Sequence, residues 1–362
     1  MTQISMTDGA ALNSVPRDIG RDRAVGLWLL GVAAMIFVTV VIGGITRLSG
    51  SGLSIMEWKP LMGALPPLNT AEWERVFALY RGIAQFKHIN PDMTLPEFQG
   101  IFWWEYAHRL WDRLIGAAFL LPFLWFLARG SLRRAWVPRL AIIFALGALE
   151  GVIGWYMVAS GFEDRDSVSQ YRLVLHLGLA LAIYATILWS AFDLLQPSAL
   201  AGDAGKARAL RRHALWLLAL IALELALGGL VAGLHGGLIY NDFPFMNGDW
   251  AAPDLLSRSP WWSNATENPG TAQFLHRIGA LAITLTVIAL VWRGFRRRLP
   301  APLPFRLGLL LAALVLQVSL GIATLMLVVP LPLAVTHQAG AVVLLSATLF
   351  VLHGLNRIGA AR

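Results

Sequence analysis

Eight stretches of the chain are apolar for long enough to cross a bilayer as helices, near residues 25–46, 104–127, 138–160, 171–195, 214–236, 273–293, 306–329 and 335–354. A hydrocarbon core of ~30 Å needs about 20 helical residues, and each run supplies close to that. The first run is too long for a signal-peptide core and lacks a clear cleavage site, so it is expected to remain as a span. Two of the polar gaps are long, 47–103 and 237–272. Both are rich in Trp, Pro and Gly and read as ordered caps rather than linkers. The pattern predicts an all-α integral membrane protein with eight transmembrane helices.

Composition agrees with that class. Of 362 residues, 57% are hydrophobic and 14% charged, with a mean hydropathy of +0.62, which is more apolar than soluble domains. Charge then orients the chain. The two tails and the gaps after even-numbered spans hold 18 of the 29 Lys and Arg, whereas the short gap at 330–334 holds none. Basic loops stay in the cytoplasm, so both termini are expected there and both long caps outside. The net charge of +8 therefore reports orientation, not affinity for nucleic acid. The chain has no cysteine. Disulfides, thiolate metal sites, iron–sulfur clusters and thioether-linked haem are excluded. A haem held by histidine alone is not.

The apolar runs repeat. Glu105 to Gln273 and His108 to His276 are both offset by 168; Glu150 to Gln317 and Gly154 to Gly321 are both offset by 167; His176 to His337 is offset by 161. Gly43-Gly44 matches Gly228-Gly229. Four spans per half keep the halves in one orientation, so the repeat is parallel, about an axis along the membrane normal. The expected layout is a tail at 1–24, a four-helix bundle at 25–196, a cytoplasmic linker at 197–213, a second four-helix bundle at 214–354 and a tail at 355–362.

Histidines mark the repeat. His108 and His276 open the second span of each half, and His176 and His337 open the fourth. All four lie on spans that run inwards, so all four are expected near the outer face, about one turn inside a helix start. A helix N-terminus keeps imidazole neutral and able to bind a metal, and it favours anions such as haem propionates. Two facing histidines without a thiolate or carboxylate cluster suit the axial positions of a haem iron; zinc or copper sites want three or four converging donors. Gly147, Gly151, Gly154 and Gly321 thin their helices, for close packing or for a flat macrocycle. A lone intramembrane histidine is often a packing or interfacial residue, but four at matching repeat positions are hard to explain so. His88, His213 and His353 read as ordinary polar residues, and His235 belongs to the outer cap.

The halves differ at one position of their shared motif. Glu105-Tyr106-Ala107-His108-Arg109 has a carboxylate where Gln273-Phe274-Leu275-His276-Arg277 has an amide. Glu105 and His108 share a helix face, and a carboxylate beside a metal ligand in a low-dielectric site suits proton transfer; a salt bridge to Arg109 or Arg113, or a charge stabilised by the helix N-terminus, is the alternative. Arg109 and Arg277 suit propionate pairing or anchoring at a helix end, and the residues leave both open. Glu150 and Glu224 are intramembrane charges and hence functional candidates.

These motifs, with Gly43-Gly44-Ile45-Thr46-Arg47-Leu48, Ser51-Gly52-Leu53-Ser54, Glu57-Trp58-Lys59-Pro60, Pro66-Pro67-Leu68, Gly154-Trp155-Tyr156-Met157-Val158 and Gly237-Leu238-Ile239-Tyr240-Asn241-Asp242-Phe243-Pro244, run in order over about 25–355. The chain resembles the haem A synthase family of bacteria and mitochondria, and within it the cysteine-free branch that includes the mitochondrial enzymes. Glu150 stands where Gln is expected, and Asp112 where Gly is common.

The resemblance implies an oxidoreductase that converts the C8 methyl of haem O to the formyl group of haem A by successive hydroxylations. It implies a substrate haem on His108 and His176 of the first half, with Arg109 nearby. It implies a haem B cofactor on His276 and His337 of the second half, with Arg277 nearby, and Glu105 as the essential acid. It also implies a place in the bacterial inner membrane, in contact with lipid, between a haem O synthase and the assembly of a haem A-containing terminal oxidase. A homo-oligomer is left open. The competing readings from the residues are a di-haem b-type membrane electron carrier and, with only Gly-rich span ends at 43–52 and 228–237 to suggest it, a transporter built on repeats.

Overall fold

The computed structural model describes residues 19–359 except 60–61, 163–164 and 197–198. Arg17, Pro60, the first two residues of the expected linker and Arg362 lie outside the described residues. Among the described residues there are eleven α-helices and no strand, only two isolated bridges. Eight of the helices are long and apolar enough to span a membrane: α1 (Ile19–Leu48), α4 (Leu95–Ala128), α5 (Trp136–Ala159), α6 (Gln170–Leu195), α7 (Ala204–Gly233), α9 (Pro269–Arg296), α10 (Leu303–Met326) and α11 (Leu331–Asn356). Three short helices lie between them: α2 (Thr70–Tyr80), α3 (Ala84–Ile89) and α8 (Asn264–Glu267).

Helix starts follow local capping chemistry rather than the edge of the apolar run. Thr94 and Glu97 form a capping box that begins α4 nine residues before the expected span at 104. Asp203 accepts from Gly205 and Lys206 and begins α7 at Ala204, ahead of 214. Asn268 accepts from Thr271 at the start of α9. The 34 residues of α4 at about 1.5 Å each reach roughly 50 Å, past a hydrocarbon core of about 30 Å. Its first turns therefore belong to the cap. There Phe98 and Phe102 pack with Leu53, Tyr80, Ile83 and Phe86 in a second, separate core. The described residues of 47–103 are thus ordered, as the Trp- and Pro-rich composition implied.

The spans of each half contact one another in a closed ring: α1 with α4 and α6, and α5 with α4 and α6; then α7 with α9 and α11, and α10 with α9 and α11. The halves meet through α1, α6, α7 and α11. This is consistent with two similar four-helix bundles side by side. The main buried core takes residues 25–40 of α1, 119–126 of α4, 140–143 of α5, 181–194 of α6, 207–221 of α7, 283–291 of α9, 303–314 of α10 and 342–355 of α11. In every span these residues lie toward the end that carries the basic loops. The four motif histidines all lie beyond the core, toward the caps. The molecule is packed tight at one end and keeps its polar chemistry at the other.

Candidate functional site

Each of the four histidines backs onto a glycine of a neighbouring helix in its own half. A Cβ built on Gly154 would stand 2.9 Å from His176 Cε1, and one on Gly321 would stand 2.8 Å from His337 Cε1. One on Gly43 would meet His108 Cε1 at 3.2 Å, and one on Gly228 would meet His276 Cε1 at 3.2 Å. Optimal carbon contacts are about 3.5–4.0 Å, so a methyl at any of the four would press on the imidazole. The glycines seat side chains. The second glycine of each Gly-Gly pair faces the other half: Gly44 lies against Gln338, next to His337, and Gly229 against Val174, two residues before His176. Gln338 Nε2 also donates to the Val40 carbonyl of α1 at 2.8 Å.

The rings of His276 and His337 lie 6.4 Å apart, centroid to centroid, and at 88° to each other. Two metal–imidazole bonds of about 2 Å each, with about 1.1 Å from each nitrogen to its ring centre, add up to roughly 6 Å. The pair therefore fits a single iron held between two imidazoles. Nδ1 of His176, His276 and His337 is buried without a hydrogen-bond partner of good geometry.

The helix starts correct one expectation. His108 is the fourteenth residue of α4, and His176, His276 and His337 are the seventh or eighth of their helices. Terminal dipole effects fade within the first turn. No motif histidine is held neutral by a helix N-terminus, and none of the four N-termini adjoins its histidine as an anion site.

What stands beside the histidines is carboxylate. Glu150 Oε1 of α5 comes within 2.8 Å of His176 Nδ1, and Glu224 Oε1 of α7 within 2.9 Å of His276 Nδ1. These are hydrogen-bond distances, but the direction is off-line, and both Nδ1 atoms are unsatisfied by angle. The sequence marks Glu150 and Glu224 as intramembrane charges but does not pair them with histidines. The readable signal was spacing: Glu150 precedes Gly154 by four, Glu224 precedes Gly228 by four, Gln317 precedes Gly321 by four and Thr39 precedes Gly43 by four. Residues four apart share a helix face, so on α5 and α7 the histidine that meets the glycine also meets the acid one turn before it.

Glu105 is buried, at 2% exposure, and every acceptor direction is used. Oε2 accepts from Ser54 Oγ at 2.7 Å and from the Ile55 amide at 2.9 Å. Oε1 accepts from Arg109 Nε at 3.0 Å and Nη2 at 2.6 Å. A carboxylate offers about four lone-pair sites, and four donors fill them. Arg109 donates further to the Ile55 and Glu57 carbonyls, at 2.7 and 3.2 Å. Of the two alternatives for Glu105, the Arg109 pair is present. In the second half Gln273 Nε2 donates to the Gly236 and Ile239 carbonyls at 3.0 and 2.7 Å. Arg277 donates to the carbonyls of Tyr240 and Phe245, both at 2.7 Å. Both arginines thus tie the outer cap to the helix that carries a histidine.

The remaining histidines have separate surroundings. His88 Nδ1 meets Asp166 at 2.6 Å in the outer cap, and His213 Nδ1 meets Arg293 at 3.2 Å. His353 is fully buried, with Nε2 3.1 Å from Asp193 across the α6–α11 contact. His235 lies in the outer cap in a left-handed conformation, φ 55°. Burial first and the Arg47 charge second push its pKa below the ordinary value. Arg47 itself crosses between halves to donate to the Ala232 carbonyl.

Comparison with known proteins places this geometry. A family model described as COX15-CtaA, cytochrome oxidase assembly protein, matches residues 26–349. A protein of Rhodospirillum centenum named Heme A synthase is 46% identical over 98% of this chain and 94% of its own length. Proteins of the same name from Nitrosospira multiformis and Rhodopseudomonas palustris are both 47% identical, over 92% and 94% of this chain and 94% and 92% of their own lengths. The match takes in both histidine pairs and both caps and reaches into all eight spans, and the chain belongs to the COX15-CtaA family of cytochrome oxidase assembly proteins.

Proposed function

We propose that the chain forms haem A from haem O in the membrane. Two successive hydroxylations of the C8 methyl and loss of one water give the formyl group. The observation that carries the reading is the pair of histidine pairs, each histidine on its own glycine, with His276 and His337 spaced for one iron. His276 and His337 would hold haem B, and His108 and His176 the substrate haem, with the bundles divided at 25–196 and 214–354. Bound haem B would supply one-electron redox chemistry. Both sites would face outwards, since the core that fills the opposite ends of the spans leaves no room for a macrocycle there.

The chain's own residues then have distinct tasks. The glycine seats set how far each imidazole stands from the bundle axis. Arg109 and Glu105 lock the segment Ser54–Glu57 over the first site, and Arg277 and Gln273 lock Tyr240–Phe245 over the second. Glu105 lies one turn before His108. With its four bonds intact it acts by its negative charge, stabilising positive charge that develops at the reacting carbon. A role as proton donor requires one of those four bonds to break first. Upstream supply of haem O and downstream delivery to a terminal oxidase follow from the same reading, as do cytoplasmic termini.

Expression in a host that makes haem O but not haem A, followed by acid extraction and mass analysis of the haems, tests the proposal. Haem B together with haem A or its hydroxylated precursors is the expected result. Two haem B per chain and no modified haem would make this chain a di-haem electron carrier instead.

A further inference from the structure

The two members of each histidine pair are not equally held. His176 has the Glu150 carboxylate 2.8 Å from Nδ1. His276 has Glu224 at 2.9 Å. Both carboxylates are largely enclosed, with side-chain exposures of 15% and 14%. The repeat equivalents of these acids are Gln317 on α10, four residues before Gly321, and Thr39 on α1, four residues before Gly43. Neither can carry charge. The acids therefore stand at non-equivalent places in the repeat, on the third span of the first half and the first span of the second, yet each half has one.

His108 differs in a further way. Against Gly154, Gly228 and Gly321 the partner histidine presents Cε1 and then Nδ1, whereas against Gly43 His108 presents Cε1 and Nε2, both at 3.2 Å, with Nδ1 out at 3.9 Å. Its Nε2 stands 3.8 Å from Asp112 Oδ2 on the next turn of α4. Thr39 Oγ1 donates to the other oxygen of Asp112 at 3.3 Å. His108 thus rests turned toward its own helix and α1, with a carboxylate beside the nitrogen that the other histidines keep free.

A carboxylate on the far nitrogen of a ligating imidazole fixes its orientation and raises its basicity, and losing it typically lowers metal affinity about 10–100-fold. We propose that Glu150 and Glu224 are positioning residues that each make one histidine per half, His176 and His276, the firm axial ligand, and that His108 is the exchangeable ligand of the first site, with Asp112 as its resting partner. On the substrate side a product haem must leave. One firm and one yielding ligand allow retention during the reaction and release afterwards. The inference rests on the reading that the histidine pairs hold haems.

The test uses the full-length protein purified with its haems, and reads haem content, ferric low-spin signal, carbon monoxide binding and midpoint potentials. The isosteric changes Glu150→Gln and Glu224→Gln keep volume and remove charge. Each should raise the potential of one haem only, and Glu150→Ala should lower retention of the first-half haem by about 10–100-fold. His108→Ala should keep that haem but turn it five-coordinate and open to carbon monoxide, whereas His176→Ala should lose it. Unchanged potentials in both Gln variants, or equal haem loss in His108→Ala and His176→Ala, would overturn the inference. A wild-type protein with no low-spin bis-histidine haem would instead sink the underlying reading.

Discussion

In the first half the cap offers donors, Ser54 Oγ and the Ile55 amide, to an acceptor on α4. In the second half it offers acceptors, the Gly236 and Ile239 carbonyls, to a donor on α9. The arginine one turn later does the same work in both, reaching the cap carbonyls. The exchange of Glu for Gln between the halves is therefore matched by a reversal of cap polarity. Each half has co-adapted its loop to its own residue. A carboxylate stands at this position of α4 and an amide at the matching position of α9, while the mechanical connection is preserved in both.

Swapping the residues should break this comparison most severely. Glu105→Gln would strand the Ile55 amide or Arg109, and breaking one side of a buried ion pair costs about 3–5 kcal/mol, less here because Arg109 is 19% exposed. We expect haem A formation to fall at least 100-fold, the scale of losing one preorganised electrostatic partner, with haem B retained. Gln273→Glu should aim a carboxylate at two carbonyls and destabilise the second half. The double swap should rescue neither, because the caps are not exchanged. Haem A formation at the wild-type level in Glu105→Gln would remove any role for the charge and reduce Glu105 to a clamp.

The glycine seats sharpen the same comparison at an intermediate scale. Gly154→Ala and Gly321→Ala put a methyl under 3 Å from the His176 and His337 rings. Overpacking costs about 1–3 kcal/mol, so haem content should drop roughly 10–100-fold, in the first half for one variant and in the second for the other. Alanine is the better helix former by about 1 kcal/mol, so the helices themselves should survive, which circular dichroism would check. Gly43→Ala and Gly228→Ala meet their rings at 3.2 Å and should be milder. If all four variants lose both haems together, the halves are not independent sites.

The smallest effect is expected at the contact between the halves. His235 is a cap histidine whose pKa is lowered by burial and by Arg47. A lowered folded-state value means that its contribution is complete above the unfolded value of about 6.5 and is lost as pH falls through the folded value. Wild-type thermal stability should therefore decline more steeply below about pH 6.5 than that of His235→Asn. Asparagine also tolerates the left-handed backbone at this position. Parallel melting curves for the two proteins between neutral and mildly acid pH would show that His235 stays uncoupled from folding.

Much of this protein is written locally in its sequence. A bilayer demands about 20 apolar residues per span and sorts Lys and Arg to one side. The eight spans were therefore legible from a one-dimensional pattern, and so was the repeat carrying His108, His176, His276 and His337, because it recurs at nearly constant offset. The exact start of α4 was not, since Leu95–Trp103 is helical by virtue of the Thr94–Glu97 cap and of Phe98 and Phe102 packing under the outer loop. Nor were the partners of the acids. Glu150 and His176 lie on different helices, as do Glu224 and His276. Which side chain meets which is set by the rotation of each helix about its axis and by where two helices cross. Those are decided at the other end of the molecule, where Leu29, Leu140, Leu210, Val287, Leu310 and Leu352 interlock in the core. The apolar pattern determined that there would be helices with histidines near one face. Close packing at the opposite face decided that each histidine would meet a glycine, and that two of the four would meet a carboxylate from a neighbouring helix.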